Sequence, residues 1–130
     1  MTLNIFKFKT FFIFFFIILT LNGIVFAQPL NLNLLMIDDT SCSYCDLWEE
    51  EIGFMYSKSQ EGKLAPLIRY QYGEKLPQEI KLLSEPVFTP TFILLEDNKE
   101  QYRIDGYPGE EFFWSFLSEY INKIQKNKNN

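Results

Sequence analysis

The 130-residue chain contains no histidine and only two cysteines. The absence of histidine excludes Cys-His and Ser-His-Asp nucleophilic catalysis, and every zinc site that uses an imidazole ligand. Two sulfurs alone would leave half of a zinc coordination shell to carboxylates, so we expect neither a metal nor another cofactor. Proton transfer in this protein must therefore use carboxylates, lysine, tyrosine or water.

Basic residues are also scarce, with 12 lysines and arginines against 17 acids and a formal net charge of −5. Two of the bases, Lys7 and Lys9, lie near the start of the chain. Without them the balance is 12 − 2 = 10 bases against 17 acids, a net charge near −7. Such a charge argues against nucleic acid or an anionic membrane surface as a partner.

The one long apolar run, Phe11 to Leu21, follows those two lysines and is shorter than the roughly 20 residues that span a bilayer. Small and apolar residues ending at Ala27 suit signal peptidase. We predict a signal peptide over residues 1–27, cleaved after Ala27, and one domain over residues 28–130. The protein would then be exported to a compartment in which disulfides can persist; the alternative is an uncleaved N-terminal anchor that leaves the domain on the outer side of the membrane.

The two cysteines form the motif Cys42-Ser43-Tyr44-Cys45, between an apolar run and an amphipathic pattern. The apolar run, Leu32 to Ile37, predicts a buried strand, and the pattern from Cys42 to about Ser57 predicts a helix. The N-terminus of a helix stabilises a thiolate at Cys42, and Cys45 lies one turn further on, where it can close a disulfide. A Cys-x-x-Cys at a strand–helix junction is typical of thioredoxin-like redox proteins.

A structural disulfide and a two-cysteine zinc site are the alternatives to a redox dithiol. Chain entropy gives a disulfide in so small a loop about 2 kcal/mol of stabilisation. Known dithiol potentials span about 150 mV, which corresponds to about 7 kcal/mol. The motif is therefore better suited to be a redox couple of adjustable potential than a disulfide that stabilises the fold.

The remaining pattern predicts an α/β protein with a thioredoxin-like fold: a central mixed sheet of about four strands, flanked by helices. The first two strands should pair in parallel through a right-handed crossover, and the last two should form a hairpin. The predicted elements after the first helix are a break at Gln60 to Lys63, a strand at Leu67 to Tyr72, a short helix at Pro77 to Leu83, a strand that Pro90 begins, a strand at Gln101 to Ile104, and a helix from Glu110.

The dipeptide Thr89-Pro90 precedes the densest apolar run of the domain. Most X-Pro bonds are trans, but in a thioredoxin-like fold a cis-proline begins the strand beside the dithiol. Pro90 stands at that point of the element order, so we predict a cis bond next to the Cys-x-x-Cys motif. We expect Thr89, Pro90, Ser43 and Tyr44 to bind the substrate, with an extended partner segment adding as a strand.

Five segments between Leu34 and Leu117 carry a family resemblance, and the block Gly-Tyr-Pro-Gly-Glu-x-Phe-Phe-Trp is the most specific part of it. Through these segments the chain resembles the SoxS type of exported thioredoxin, which is associated with bacterial sulfur oxidation. The segments are Thr40 to Cys45, Trp48 to Gly53, Glu61 to Leu67, Phe88 to Phe92 and Arg103 to Trp114.

The resemblance implies a periplasmic thiol–disulfide oxidoreductase that reduces a sulfur-carrier protein through a mixed disulfide. Cys42 would be the nucleophile and Cys45 the resolving cysteine, the pair forming the Cys42–Cys45 disulfide when oxidised. A membrane electron transporter would return the dithiol to its reduced state, and the protein would act as a monomer. The other functions open to this fold are disulfide oxidase or isomerase, apocytochrome c reductant, and a non-catalytic binding module with a structural disulfide.

Two departures from ordinary thioredoxins alter the expected chemistry. Met36 stands where those proteins carry a buried acid, and Ser43-Tyr44 stands where they carry Gly-Pro. Proton removal from Cys45 must then use water or a nearby carboxylate such as Asp38 or Asp39.

Overall fold

The computed structural model describes residues 29–128, so the predicted signal peptide lies outside the described residues. No helix within that range is both long enough and apolar enough to cross a membrane. The strands are β1 (Leu32–Asp38), β2 (Leu67–Gln71), β3 (Thr91–Glu96) and β4 (Lys99–Asp105). The helices are α1 (Ser43–Trp48), α2 (Phe54–Tyr56), α3 (Gln60–Leu64) and α4 (Glu110–Lys128), with a π-helical turn over Glu49–Gly53.

The four strands form one mixed sheet in the order β2-β1-β3-β4. Strand β1 is parallel to β2 and antiparallel to β3, and β3 pairs antiparallel with β4. Because β1 is central and covered on both sides, it is a continuous apolar run rather than an alternating one. The predicted four-stranded mixed sheet, parallel first pair and terminal hairpin are all confirmed.

The larger buried cluster lies between one face of the sheet and the helices. At its centre Trp48 packs against Phe92 and Phe113, with ring centroids 5.3 and 5.9 Å away. Side chains of α4 at helical spacing extend this cluster along the sheet. They are Phe113, Leu117, Ile121 and Ile124.

The opposite face carries a smaller cluster, built on Leu35, Ile37, Ile93 and Leu95. It is covered by residues 72–90, called here the connecting segment. The helix predicted at Pro77 to Leu83 is wrong, because these residues are extended or in turns.

Backbone pairing with the edge of the sheet explains this difference. The N–H of Lys81 donates to the carbonyl of Asn98 at 2.8 Å, and Lys81 in turn accepts from the N–H of Glu100 at 2.9 Å. The open edge of β4 thus offers the segment hydrogen bonds that compete with those of a helix. Sequence periodicity around Lys81 could not reveal that edge.

The predicted helix break at Gln60 to Lys63 is also wrong. The preceding helix, α2, ends at Tyr56, and α3 occupies Gln60 to Leu64. Ser59 caps α3 by accepting the N–H of Gly62 on its hydroxyl at 2.9 Å. A Cβ added at Gly62 would lie 1.8 Å from the carbonyl oxygen of Tyr56. The glycine therefore permits close packing of the backbone rather than ending a helix.

Candidate active site

Cys42 and Cys45 form a disulfide at the start of α1, just beyond the carboxyl end of β1. Cys42 is the N-cap residue, with an extended backbone, and its Sγ accepts the N–H of Cys45 at 3.1 Å. Cys45 is 4% exposed and belongs to the larger cluster, whereas Cys42 is only partly buried. The two sulfurs thus differ in accessibility, and Cys42 is the outer one.

A hydrogen-bonded turn fixes the backbone ahead of Cys42. The carboxylate of Asp39 accepts both the N–H of Ser41 at 2.8 Å and its hydroxyl at 2.6 Å. The carbonyl of Asp39 accepts the N–H of Cys42 at 3.1 Å. These bonds, the Ser41 hydroxyl first, hold the pKa of Asp39 below its ordinary value of 3.8.

The environment beneath the inner sulfur is apolar. Met36 is fully buried in the same cluster as Cys45 and Trp48, so no carboxylate takes the position of the acid found in ordinary thioredoxins. Asp38 lies further along the same side of β1. Its carboxylate accepts the N–H of Asp39 at 2.8 Å.

Arg69 partners Asp38 and was not recognised from sequence. Its Nη1 lies 3.5 Å from the Asp38 carboxylate, and its Nη2 pairs with Glu49. The guanidinium also lies over the ring of Trp48, 5.2 Å from the centroid. Only the β1–β2 register, which pairs Arg69 with Met36, brings this cation to the helix-covered face.

The Thr89–Pro90 bond is cis, and Pro90 immediately precedes β3. The carbonyl of Pro90 accepts the N–H of Gly106 at 2.8 Å, so this acceptor is already engaged. Within residues 29–128 neither the N–H nor the carbonyl of Thr89 has a backbone partner. The hydroxyl of Thr91 donates to the carbonyl of Phe88 at 2.7 Å and braces the turn.

A groove of about 400 Å³ runs between the Cys-x-x-Cys motif and the cis-proline turn. The structure brings Tyr44 and Thr89 together there, while Ser43 and Pro90 are not among the lining residues. Sequence reasoning missed Phe88, Asp105 and Tyr107, which no motif of reactive residues indicates. The lining residues are Tyr44, Phe88, Thr89, Asp105, Gly106, Tyr107 and Pro108.

Tyr107 connects this groove to the π-helical turn. Its hydroxyl donates to a carboxylate oxygen of Glu51 at 2.6 Å, and its ring packs on Phe113 with the centroids 6.1 Å apart. Burial raises the pKa of Tyr107 above its ordinary value, and the bond to the Glu51 carboxylate raises it further. The wall of the groove is thereby tied to the main core.

No protein-family model matches the chain, and no curated protein matches it. Among solved structures, it is similar to the reduced form of the periplasmic thioredoxin SoxS from Paracoccus pantotrophus. The two chains are 40% identical with a TM-score of 0.70, and the match covers 72% of this chain and 99% of that one. Similarity over nearly the whole of that thioredoxin, together with the Cys-x-x-Cys disulfide, supports catalysis of thiol–disulfide exchange on protein thiols or disulfides. This chain belongs to the SoxS-type thioredoxins and is a thiol–disulfide oxidoreductase.

Proposed function

We propose that the protein is a periplasmic reductant of a sulfur-carrier protein, with Cys42 as the nucleophile and Cys45 as the resolving cysteine. The observation that carries the assignment of roles is the difference in burial between the two sulfurs. An incoming disulfide reaches the partly buried Cys42, while Cys45 is 4% exposed and accessible chiefly to Cys42 itself. The likeness to a periplasmic SoxS supports the compartment and the class of partner.

The reaction consists of two exchanges. The Cys42 thiolate attacks one sulfur of the partner's disulfide, and the other partner sulfur leaves as a thiolate. The Cys45 thiolate then attacks Cys42 Sγ, which expels the second partner sulfur and closes the Cys42–Cys45 disulfide. Two electrons and two protons pass from the dithiol to the partner, and a membrane electron transporter supplies the next pair of electrons.

Local hydrogen bonding favours Cys42 as the thiolate. The N–H of Cys45 points at Cys42 Sγ, so a negative charge on that sulfur gains a backbone donor. For proton removal from Cys45, Asp39 is a poor acceptor, since the bonds from Ser41 lower its pKa. Asp38 is itself paired with Arg69, so of the three acceptors water is the one that has no such partner.

The partner segment binds across Thr89, with Ser43 and Tyr44 on the side of the sulfurs and Pro90 shaping the turn. The backbone groups of Thr89 lack backbone partners within residues 29–128, which leaves them available for an added strand. Tyr44 is 60% exposed and Phe88 is 57% exposed, so two aromatic rings flank the path. This arrangement suits an extended segment of one protein chain. We propose that the protein acts as a monomer.

Trapping tests the assigned roles. Cys45→Ser removes the resolving thiol, so the mixed disulfide on Cys42 should accumulate with a partner from periplasmic extract. Mass spectrometry of the adduct, released by dithiothreitol, identifies the partner. The matched control, Cys42→Ser, should capture nothing. If the wild type turns over substrate while Cys45→Ser captures nothing, the resolving role is wrong.

The direction of electron flow is tested by equilibrating the dithiol with glutathione. A potential well below that of the glutathione couple supports a reductant. A potential well above it would contradict the proposal and indicate an oxidase or isomerase. A disulfide that no mild reductant opens would indicate a binding module. If Cys45→Ser captured an apocytochrome, the substrate would be that apocytochrome and not a sulfur carrier.

A further inference from the structure

The groove beside the disulfide contains a single charged residue, Asp105, among aromatic and backbone walls. It adjoins the reactive sulfurs through Tyr44, which lies between the two cysteines in the chain. A partner segment whose cysteine reaches Cys42 therefore places its neighbouring side chains in or next to this groove. Selectivity of this groove for particular partner segments rests on the proposed function, because a partner cysteine must first reach Cys42.

Asp105 is held in place without being neutralised. It is the last residue of β4, pairs in register with Thr91 of β3, and is exposed. The Thr91 hydroxyl lies 3.4 Å from one Asp105 carboxylate oxygen but donates its shorter bond, 2.7 Å, to Phe88. In the described part of the chain, no lysine or arginine forms an ion pair with Asp105.

Arg103, two residues earlier in β4, is the cation that could have neutralised Asp105. Its Nε and Nη2 instead donate to the two carboxylate oxygens of Glu100, each at 2.8 Å. Nη2 also donates to the carbonyl of Ser84 at 2.7 Å. The guanidinium is thus hydrogen-bonded to Glu100 of β4 and to Ser84 of the connecting segment rather than to Asp105, whose negative charge remains available to a ligand.

Charge is distributed unevenly between the two ends of the sheet. The segments at the end that carries the disulfide are 38–46, 71–76, 84–91 and 105–111. Lys75 is the one base in these segments, and Arg69 of β2 pairs with one of their acids, Asp38. At the other end, Lys128 pairs with Glu96 at 2.8 Å, among several further lysines. The acids of the reactive end are Asp38, Asp39, Asp46, Glu74, Glu85, Asp105, Glu110 and Glu111, and the lysines of the other end are Lys58, Lys63, Lys99, Lys126 and Lys128.

We propose that Asp105 selects partner segments that carry a lysine or arginine beside the reactive cysteine. The long apolar stem of such a side chain fits against the rings of Tyr44, Phe88 and Tyr107 while its cationic head meets the carboxylate. The acidic surroundings attract the same partner from a distance and repel an acidic one. Asp105 is a specificity-determining residue and takes no part in the exchange of sulfurs.

The test compares three synthetic peptide disulfides as substrates of the reduced protein. Each is a symmetric dimer of one short peptide whose cysteine is flanked on both sides by lysine, glutamate or the uncharged norleucine. Each turnover oxidises the Cys42/Cys45 dithiol and releases two peptide thiols, which are quantified by chromatography. The second-order rate constants are measured at low and high salt, and the ratio of the lysine rate to the glutamate rate is the readout.

We expect the wild type to reduce the lysine peptide about three to ten times faster than the glutamate peptide at low salt. High salt should shrink the ratio, because exposed charges are screened. Asp105→Asn should lower the ratio towards one, and Asp105→Lys should invert it. Asp97→Asn removes the same charge from the turn at the far end of the sheet and should leave the ratio at its wild-type value.

Each failure has a distinct meaning. Equal rates for the three peptides, or faster reduction of the glutamate peptide, would overturn the proposed selectivity and leave the reductase function standing. A wild-type ratio retained in Asp105→Asn would overturn the assignment to Asp105. Failure of the wild type to reduce any of the peptides, or hydroxyethyl disulfide, would overturn the proposed function itself.

Discussion

The two faces of the sheet are closed by different kinds of structure. On one face, side chains from the helices interlock with β1 and β3 around Trp48, in the larger buried cluster. On the other, four buried aliphatic side chains of β1 and β3 lie under the connecting segment, whose Leu76, Ile80 and Leu82 are only partly buried. Hydrogen bonds to the edge of β4 secure that segment.

We expect the two faces to differ in their contribution to stability and in how readily they open. Aromatic packing on the helix-covered face buries the most apolar area, which is the main source of folding free energy. The connecting segment has little such packing, yet Phe88 and Thr89, near its end, form part of the groove. Regions with few buried contacts open most readily, so we expect the connecting segment to open more readily than the helix-covered face.

The largest expected effect comes from truncating Trp48, because its indole is fully buried against Tyr56, Phe92 and Phe113. Trp48→Ala should lower the free energy of unfolding by about 3–5 kcal/mol. Ile80→Ala, on the other face, should cost about 1 kcal/mol, because Ile80 is only partly buried. Urea denaturation followed by far-ultraviolet circular dichroism measures both free energies. Equal losses would contradict the view that the helix-covered face contributes more to stability.

A smaller effect is expected from Glu100, which anchors the connecting segment. Its side chain is 3% exposed, accepts the N–H of Leu83 at 2.8 Å and forms the bidentate pair with Arg103. Glu100→Gln leaves the guanidinium without its counter-charge and should cost about 2 kcal/mol. Amide exchange in the connecting segment should accelerate more than exchange in α4.

Glu119→Gln is the matched control for that variant. Glu119 pairs with Lys123 on the exposed side of α4, so losing its charge should cost less than about 0.5 kcal/mol. Uniform acceleration of exchange across the protein in Glu100→Gln would contradict the view that the segment opens on its own.

The smallest effect is the dependence of stability on alkaline pH. Burial, as the first cause, raises the pKa of both Tyr56 and Tyr107 above the ordinary value of 10.0. Below pH 10 both hydroxyls are protonated whether the chain is folded or unfolded, so their contribution is fully present. Above pH 10 the unfolded chain releases these protons first, and the free energy of unfolding falls as pH rises.

Both tyrosines belong to the helix-covered face, so this alkaline loss should arise there. Replacing Tyr56 and Tyr107 by phenylalanine should make the decline above pH 10 less steep in thermal melts of the oxidised protein. An unchanged slope in the double variant would place the titrating groups elsewhere and weaken the link to that face.

Features set by local chemistry were predictable from the sequence. The apolar run of β1, the proline before β3 and the hairpin of β3 and β4 each reflect preferences of a few neighbouring residues. Features set by distant partners were not. The extended path at Lys81 depends on the edge of β4, and the exposed charge of Asp105 depends on Arg103 being bound elsewhere.

The same division applies to the candidate site. The cysteines and Thr89-Pro90 could be recognised because their spacing and order are distinctive. Phe88 and Tyr107 are aromatic residues whose place in the groove depends on the way three loops converge. Both lie in segments that carry the family resemblance, but without the register of the strands neither could be placed in the groove.

The hydrogen bond between the Pro90 carbonyl and the Gly106 N–H limits how a partner can be held. With the Pro90 carbonyl engaged, the backbone of Thr89 offers an added strand one donor and one acceptor. A ladder limited to these two groups adds little affinity, so a partner that has completed the exchange is free to dissociate quickly. In the proposed mechanism the covalent bond to Cys42 would then set how long the partner stays, and turnover would not be limited by release.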